Sequence, residues 1–160
     1  MNSLTKNIPT LSRLSLKDIN DLISESENAF LQSASKPHET TRSLLDNFQK
    51  DPQFAIYGYI IKSKPASYIT ALSNKDNNTI SIGPMFVSGK HRNSGLGKKQ
   101  VLDFINLYKN KGANDFFTKT WQNNNASIKI FTDLGFKEIK RHPNDRIDGD
   151  STIDYMLILK

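Results

Sequence analysis

Residues 92–99, RNSGLGKK, put two glycines one residue apart among an arginine and two lysines. Such a turn suits an anion. Glycine tolerates positive φ and lets a ligand approach the backbone, and consecutive N–H groups at a helix start bind phosphate oxygens. A P-loop needs G-x-x-x-x-G-K-[ST], but counting back five from Gly97 gives Arg92, and Lys98 is followed by Lys99. A dinucleotide fingerprint needs G-x-G-x-x-G. Gly95 and Gly97 fit it, yet the third place holds Gln100, and the acid twenty residues after Gly95, Asp115, opens the next strand instead of ending it. Both nucleotide readings fail on position.

Other chemistry-bearing residues are sparse. His38, His91 and His142 show no acid–histidine spacing that would build a metal site, and His91 falls in the turn beside Arg92. The chain has no Cys, so it has no disulfide, thiolate metal site or cysteine nucleophile. Tyr57, Tyr59, Tyr68 and Tyr155 lie on strand-like runs and offer hydroxyls.

The elements that position the turn follow from periodicity. Residues 15–31 and 38–50 read as helices, the first opened by Ser15 with Asp18 in capping-box spacing, the second ended by Asp51-Pro52. QFAIYGYII (53–61), ASYITALS (66–73) and TISIGPMFV (79–87) are β-branched and aromatic runs parted by turn residues, an antiparallel meander. Gly83-Pro84 inside the third marks a bulge or an edge, because proline cannot donate to a ladder. From Gly95 the pattern is helical: Val101, Phe104, Ile105 and Tyr108 share a face, and Gly112 stops it. A strand (114–121), a helix (124–134) ended by Gly135 with Phe136 packing back on Phe131, and two strands (136–141, 151–159) complete an α+β, mixed-sheet order.

The 160 residues bound the answer to one domain, 1–160. No apolar run reaches the roughly 20 residues that span a bilayer, and the N-terminus lacks a signal-peptide core; the expected place is the cytoplasm, without a membrane partner. Net charge is +6, with nine basic and eight acidic residues in 1–80 but thirteen and eight in 81–160. The excess lies beside the glycine turn. It suits a polyphosphate ligand, and it leaves a nucleic-acid-binding protein as an alternative.

R-N-S-G-L-G has the form [QR]-x-x-G-x-[GA], after a bulged strand and at a helix start, and here the sequence resembles the GNAT superfamily of N-acetyltransferases. A second segment, NNASIKIFTDLGF (124–136), resembles that family's N-x-x-A-x-x-x-Y-x-x-x-G-F, with Ser127 at the Ala position and Phe131 at the Tyr position. The resemblance implies a GNAT-like fold: a mostly antiparallel central sheet of six to seven strands splayed at a bulge, with about four helices. It also implies acetyl-CoA as co-substrate, held by Phe86, Val87, Arg92, Asn93, Ser94, Gly95, Leu96, Gly97, Lys98, Asn124 and Phe131, with no metal. The activity implied is direct transfer of an acetyl group to a primary amine of a small molecule or peptide, with aminoacyl-tRNA the one nucleic acid in that role. The first helices and the region after residue 140 would line the acceptor side. No catalytic residue is assigned: Phe131 has no hydroxyl to protonate the leaving thiolate, and TISIGPMFV has no acid to serve as base. Those two gaps keep a catalytically weak acyl-CoA-binding module as a further alternative, and a homodimer is left open.

Overall fold

A computed structural model describes residues 8–30 and 40–159. His38 and the ends of the two expected N-terminal helices at residues 31 and 38–39 lie outside them. Strand β1 (Ser12–Leu14) precedes helices α1 (Asn20–Phe30) and α2 (Thr41–Phe48). Then come β2 (Ala55–Gly58), a small hairpin of β3 (Ile60–Ile61) and β4 (Lys64–Pro65), β5 (Ser67–Asn74) and β6 (Thr79–Val87). Helix α3 (Leu96–Asn110), β7 (Asp115–Trp121), α4 (Asn125–Asp133), β8 (Lys137–His142) and β9 (Thr152–Ile158) follow. No helix among the described residues is long and apolar enough to cross a membrane.

Seven strands form one sheet in the order β1-β2-β5-β6-β7-β9-β8, with β6 and β7 parallel and every other pair antiparallel. The parallel pair needs a crossover, and α3 supplies it. Side chains alternate between faces. Ile69, Ala71, Ile80 and Ile82 join Phe104, Phe116, Phe131 and Phe136 under α3 and α4. Tyr68, Ile56 and Phe86 pack with Ile19, Leu22, Ile23 and Leu45 under α1 and α2.

Local signals explain the ends. The Ser15–Asp18 pair forms reciprocally: Ser15 N–H donates to Asp18 Oδ2 at 2.8 Å and Asp18 N–H to Ser15 Oγ at 3.2 Å. It caps a turn, so α1 itself starts only at Asn20. After α3 and α4, Gly112 (φ 94°) and Gly135 (φ 97°) take the left-handed position. Phe136 N–H reaches back to Phe131 O at 3.0 Å, and the two rings pack at 5.2 Å.

Two elements depart from the expected pattern. The run 53–61 is not one strand. At Gly58 the Ser67 carbonyl comes so close that a Cβ would sit 2.0 Å from its oxygen, and Tyr59 N–H turns to Ser67 Oγ at 3.2 Å. The chain then enters the β3–β4 hairpin, whose turn residues Lys62 and Ser63 both have positive φ (51° and 65°). Strand β1 was not expected; its three residues are too few to show alternation, and pairing with β2 alone defines it.

Candidate functional site

The Gly83-Pro84 bulge forms. In the β5–β6 ladder Ile69 faces Met85 and Ala71 faces Ile82, so two residues oppose Thr70 alone. Thr70 Oγ1 fills the gap by donating to Pro84 O at 2.8 Å. The extra residue reverses which face later side chains take: Ile82 lies under α3 whereas Phe86, an even number further on, lies under α1. The bulge also ends the parallel ladder. β6 pairs with β7 through Ile82–Thr118 and no further, while β7 runs on to Trp121 against β9. The two strands therefore part into a wedge.

Backbone alternation sets which groups face that wedge. Ser88 N–H donates to Ala66 O on the β5 side at 2.9 Å; by the two-residue period, Phe86 also directs its N–H and C=O to β5, and Met85 and Val87 direct theirs away from it. Val87 O takes the Arg92 Nε–H at 3.3 Å, and the Arg92 guanidinium lies 5.1 Å over the Phe86 ring.

The wedge leads to the glycine turn. Asn93 (φ 58°) and Gly95 (φ 78°) are both left-handed, and Ser94 Oγ–H closes the turn on His91 O at 2.5 Å. Gly95 is the N-cap of α3 without a side-chain cap bond, and Lys99 N–H makes the first helical bond, to Gly95 O at 3.1 Å. The amides of Leu96, Gly97 and Lys98 thus have no acceptor in the helix. A Cβ on Gly95 would meet nothing within 4 Å, whereas one on Gly97 would lie 3.2 Å from Ile130 Cδ1 and 3.7 Å from Val87 Cγ2. One glycine keeps the space open; the other lets α3, α4 and β6 converge.

The remaining expected residues act on the walls. Asn124 caps α4, accepting from Ser127 N–H at 3.4 Å and donating Nδ2–H to Thr120 Oγ1 at 2.9 Å, which ties α4 to β7. Phe131 is buried against Phe136. Lys98, half of its side chain exposed, pairs with Asp133 at 3.5 Å. Lys99 leaves the rim: its Nζ bonds Asp103 Oδ2 at 2.6 Å and Pro9 O at 3.1 Å. A residue that sequence reasoning missed is Glu25 on α1. Its Oε1 accepts from Gly89 N–H at 2.7 Å and its Oε2 from Ser88 Oγ–H at 3.2 Å, fixing the approach to the turn. Nothing in the local sequence distinguishes it from the other polar residues of α1.

The four tyrosines are scattered. Tyr57 lies beside Lys111, and Tyr59 donates to Asp103 Oδ2 at 2.5 Å, held far above its ordinary pKa first by burial and then by that carboxylate. Burial also raises Tyr155. Tyr68 pairs with Phe86 across the splayed half of the sheet, but its hydroxyl meets Ser26 Oγ at 3.1 Å on the α1 side. Burial pushes it up to about 12. Because the folded value is raised, its contribution to stability holds below the unfolded value near 10 and is lost as pH rises toward 12. We expect the stability difference between the wild type and Tyr68→Phe to move by about 1 kcal/mol against the wild type between about pH 9 and pH 11 in urea titrations; a constant difference would refute the burial effect.

His142 Nε2 and Asp154 Oδ2 lie 2.9 Å apart, and the Arg146 guanidinium stacks 5.3 Å over Trp121 at the end of β7. Among the described residues no group of three or more His, Asp or Glu side chains is placed to hold a metal ion.

At the mouth of a sheet opened at a bulge stands an uncapped helix start, a geometry able to take an anion on backbone N–H groups. Residues 17–136 match the Acetyltransferase (GNAT) family, and the chain belongs to it. It is an acyltransferase of that family. No curated protein sequence matches the chain. The fold is shared with ribosomal-protein-S18-alanine N-acetyltransferase from Escherichia coli, at 17% identity, covering 96% of this chain and 95% of that one, TM-score 0.74. An N-acetyltransferase from Staphylococcus aureus Mu50 superposes at 17% identity, 96% and 100% coverage and TM-score 0.77. A Bacillus subtilis acetyltransferase solved in complex with CoA does so at 16% identity, 96% and 100% coverage and TM-score 0.75.

Proposed function

We propose that this protein is a cytoplasmic N-acetyltransferase that carries the acetyl group of acetyl-CoA directly to a primary amine. The observation that carries this reading is the continuous path from the Gly83-Pro84 bulge to the uncapped start of α3. The Leu96, Gly97 and Lys98 amides, with the turn through Asn93, Ser94 and Gly95, bind the pyrophosphate. Arg92 and Lys98 add charge for the cofactor's phosphates. Met85 and Val87 offer strand-like hydrogen bonds to the pantetheine amides, and Phe86 contributes its ring as a platform for Arg92. Asn124 and Phe131 hold the α4 wall.

In the transfer, the neutral amine attacks the thioester carbonyl, the C–N bond forms, the C–S bond breaks, and the amine proton passes to water or a base. In this reading the one wedge-facing N–H of β6, at Met85 or Val87, that is not taken by the pantetheine donates to the developing oxyanion. Phe131 supplies no proton, so the thiolate leaves unaided or takes one from water. The experiment is an acceptor screen with acetyl-CoA over polyamines, amino sugars, amino acids, peptides and aminoacyl-tRNA, read by thiol release and by acetyl mass gain on the acceptor. Release with at least one class is the expected result. Tight coenzyme A binding with no release across the panel would reduce the protein to an acyl-CoA-binding module.

A further inference from the structure

Away from the cradle, at the other end of α3, lies a cleft of about 360 Å³. That is within the range of small-molecule sites. Arg13 of β1, Lys75 and Asn78 of the β5–β6 turn, and Lys111 after α3 line it, with Tyr57 and Tyr108 among its aromatic lining. Among the described residues no Asp or Glu lines the cleft. Arg13, Lys75 and Lys111 form no ion pair among the described residues, whereas Lys98, Lys99, Lys129 and Arg141 each do.

Tyr57 collects two of these charges. The Arg13 guanidinium is 5.5 Å and Lys111 Nζ 5.9 Å from its ring centre, and Lys111 Nζ is 5.2 Å from that of Tyr108. Their hydrogen bonds are long: Arg13 Nη2–H to Phe54 O at 3.4 Å and Lys111 Nζ–H to the Tyr57 hydroxyl at 3.4 Å. Both cations retain donors for a ligand. Two of the carbonyls ending α3 are engaged within the chain: Tyr108 O takes the Lys111 and Ala113 N–H groups and Lys109 O that of Gly112. Burial disfavours ionising Tyr57, yet hydrogen bonds with Tyr108 and Lys111 and the Lys111 and Arg13 charges hold its hydroxyl below the ordinary tyrosine value. The local field is positive.

We propose that this cleft is a second binding site, for a small polyvalent oxyanion of the phosphate or carboxylate class. The ligand is not the acetyl acceptor: α3 has 15 residues and spans about 22 Å at 1.5 Å per residue, with the cradle at its opposite end.

The test is an amide NMR titration of the labelled full chain, with coenzyme A saturating the cradle. Inorganic pyrophosphate is the phosphate probe and citrate the carboxylate probe. The Gly112, Ala113 and Asn78 amides should shift saturably with at least one probe, and which probe does so tells the class. Arg13→Gln/Lys111→Gln should weaken that binding at least tenfold while the Gly95 and Gly97 amides keep their response to coenzyme A. Arg13→Gln alone, at an exposed side chain, should weaken it by a smaller factor if the double variant is unstable. No saturable shift with either probe, or an undiminished shift in both variants, overturns the proposal.

Discussion

Gly95→Val should cut coenzyme A affinity at least a hundredfold, about 2.7 kcal/mol, and leave the protein folded. At φ 78° a side chain pays for a left-handed backbone, about 1–2 kcal/mol for an ordinary residue, and a branched one pays more. The Cβ would meet no protein atom within 4 Å, so packing is not the cause of loss. It would stand instead in the space beside the Leu96, Gly97 and Lys98 amides. Gly149→Val separates the two effects: Gly149 has φ 82° and the same open surroundings, outside the cradle. Calorimetric titration of both variants decides. Equal losses would attribute the effect to strain, and unchanged affinity in Gly95→Val would remove the phosphate assignment.

Gly58→Ala is expected to be the most damaging single methyl in the sheet. Its Cβ would lie 2.0 Å from Ser67 O and 2.8 Å from Leu14 Cδ1. A side chain can give way, but a strand carbonyl moves only with its ladder. Relief must part β2 from β5 next to Tyr57–Ile69 and disturb the Tyr59–Ser67 contact. Overpacking costs about 1–3 kcal/mol where side chains can adjust, so roughly 3 kcal/mol or more is expected here. For a chain of this size that lowers Tm by about 6–12 °C. Thermal unfolding followed by circular dichroism measures it, and a shift of only about 1 or 2 °C would show that the strands separate freely.

The two substitutions mark different degrees of legibility. Gly95 stood out because its neighbours are chemically suggestive: glycines, an arginine and lysines at a strand-to-helix junction. Gly58 looked like any strand glycine, because what makes it necessary is a carbonyl nine residues later in the chain. Gly83-Pro84 was intermediate. Proline's missing N–H announced a break in the ladder, but the reversal of faces that carries Phe86 to the α1 side needed the register with Thr70.

The amino-acid sequence by itself determined the order of the main helices and strands, though not β1 or the β3–β4 hairpin, and with it the helix stops at Gly112 and Gly135, the bulge and the glycine turn. Each is a local matter of φ, hydrogen-bonding capacity or periodicity within a few residues. Only the tertiary structure decided which lysines stay at the rim: Lys98 remains near it on Asp133, while Lys99 is drawn to Asp103 and Pro9 O. It also decided which amides face the wedge, since strand pairing fixes that parity, and it brought Glu25 of α1 to Ser88 and Gly89. Arg13, Lys75 and Lys111 meet at one cleft for the same reason. Contacts across tens of residues are set by how the sheet and its two helical layers close, and no window of sequence contains them.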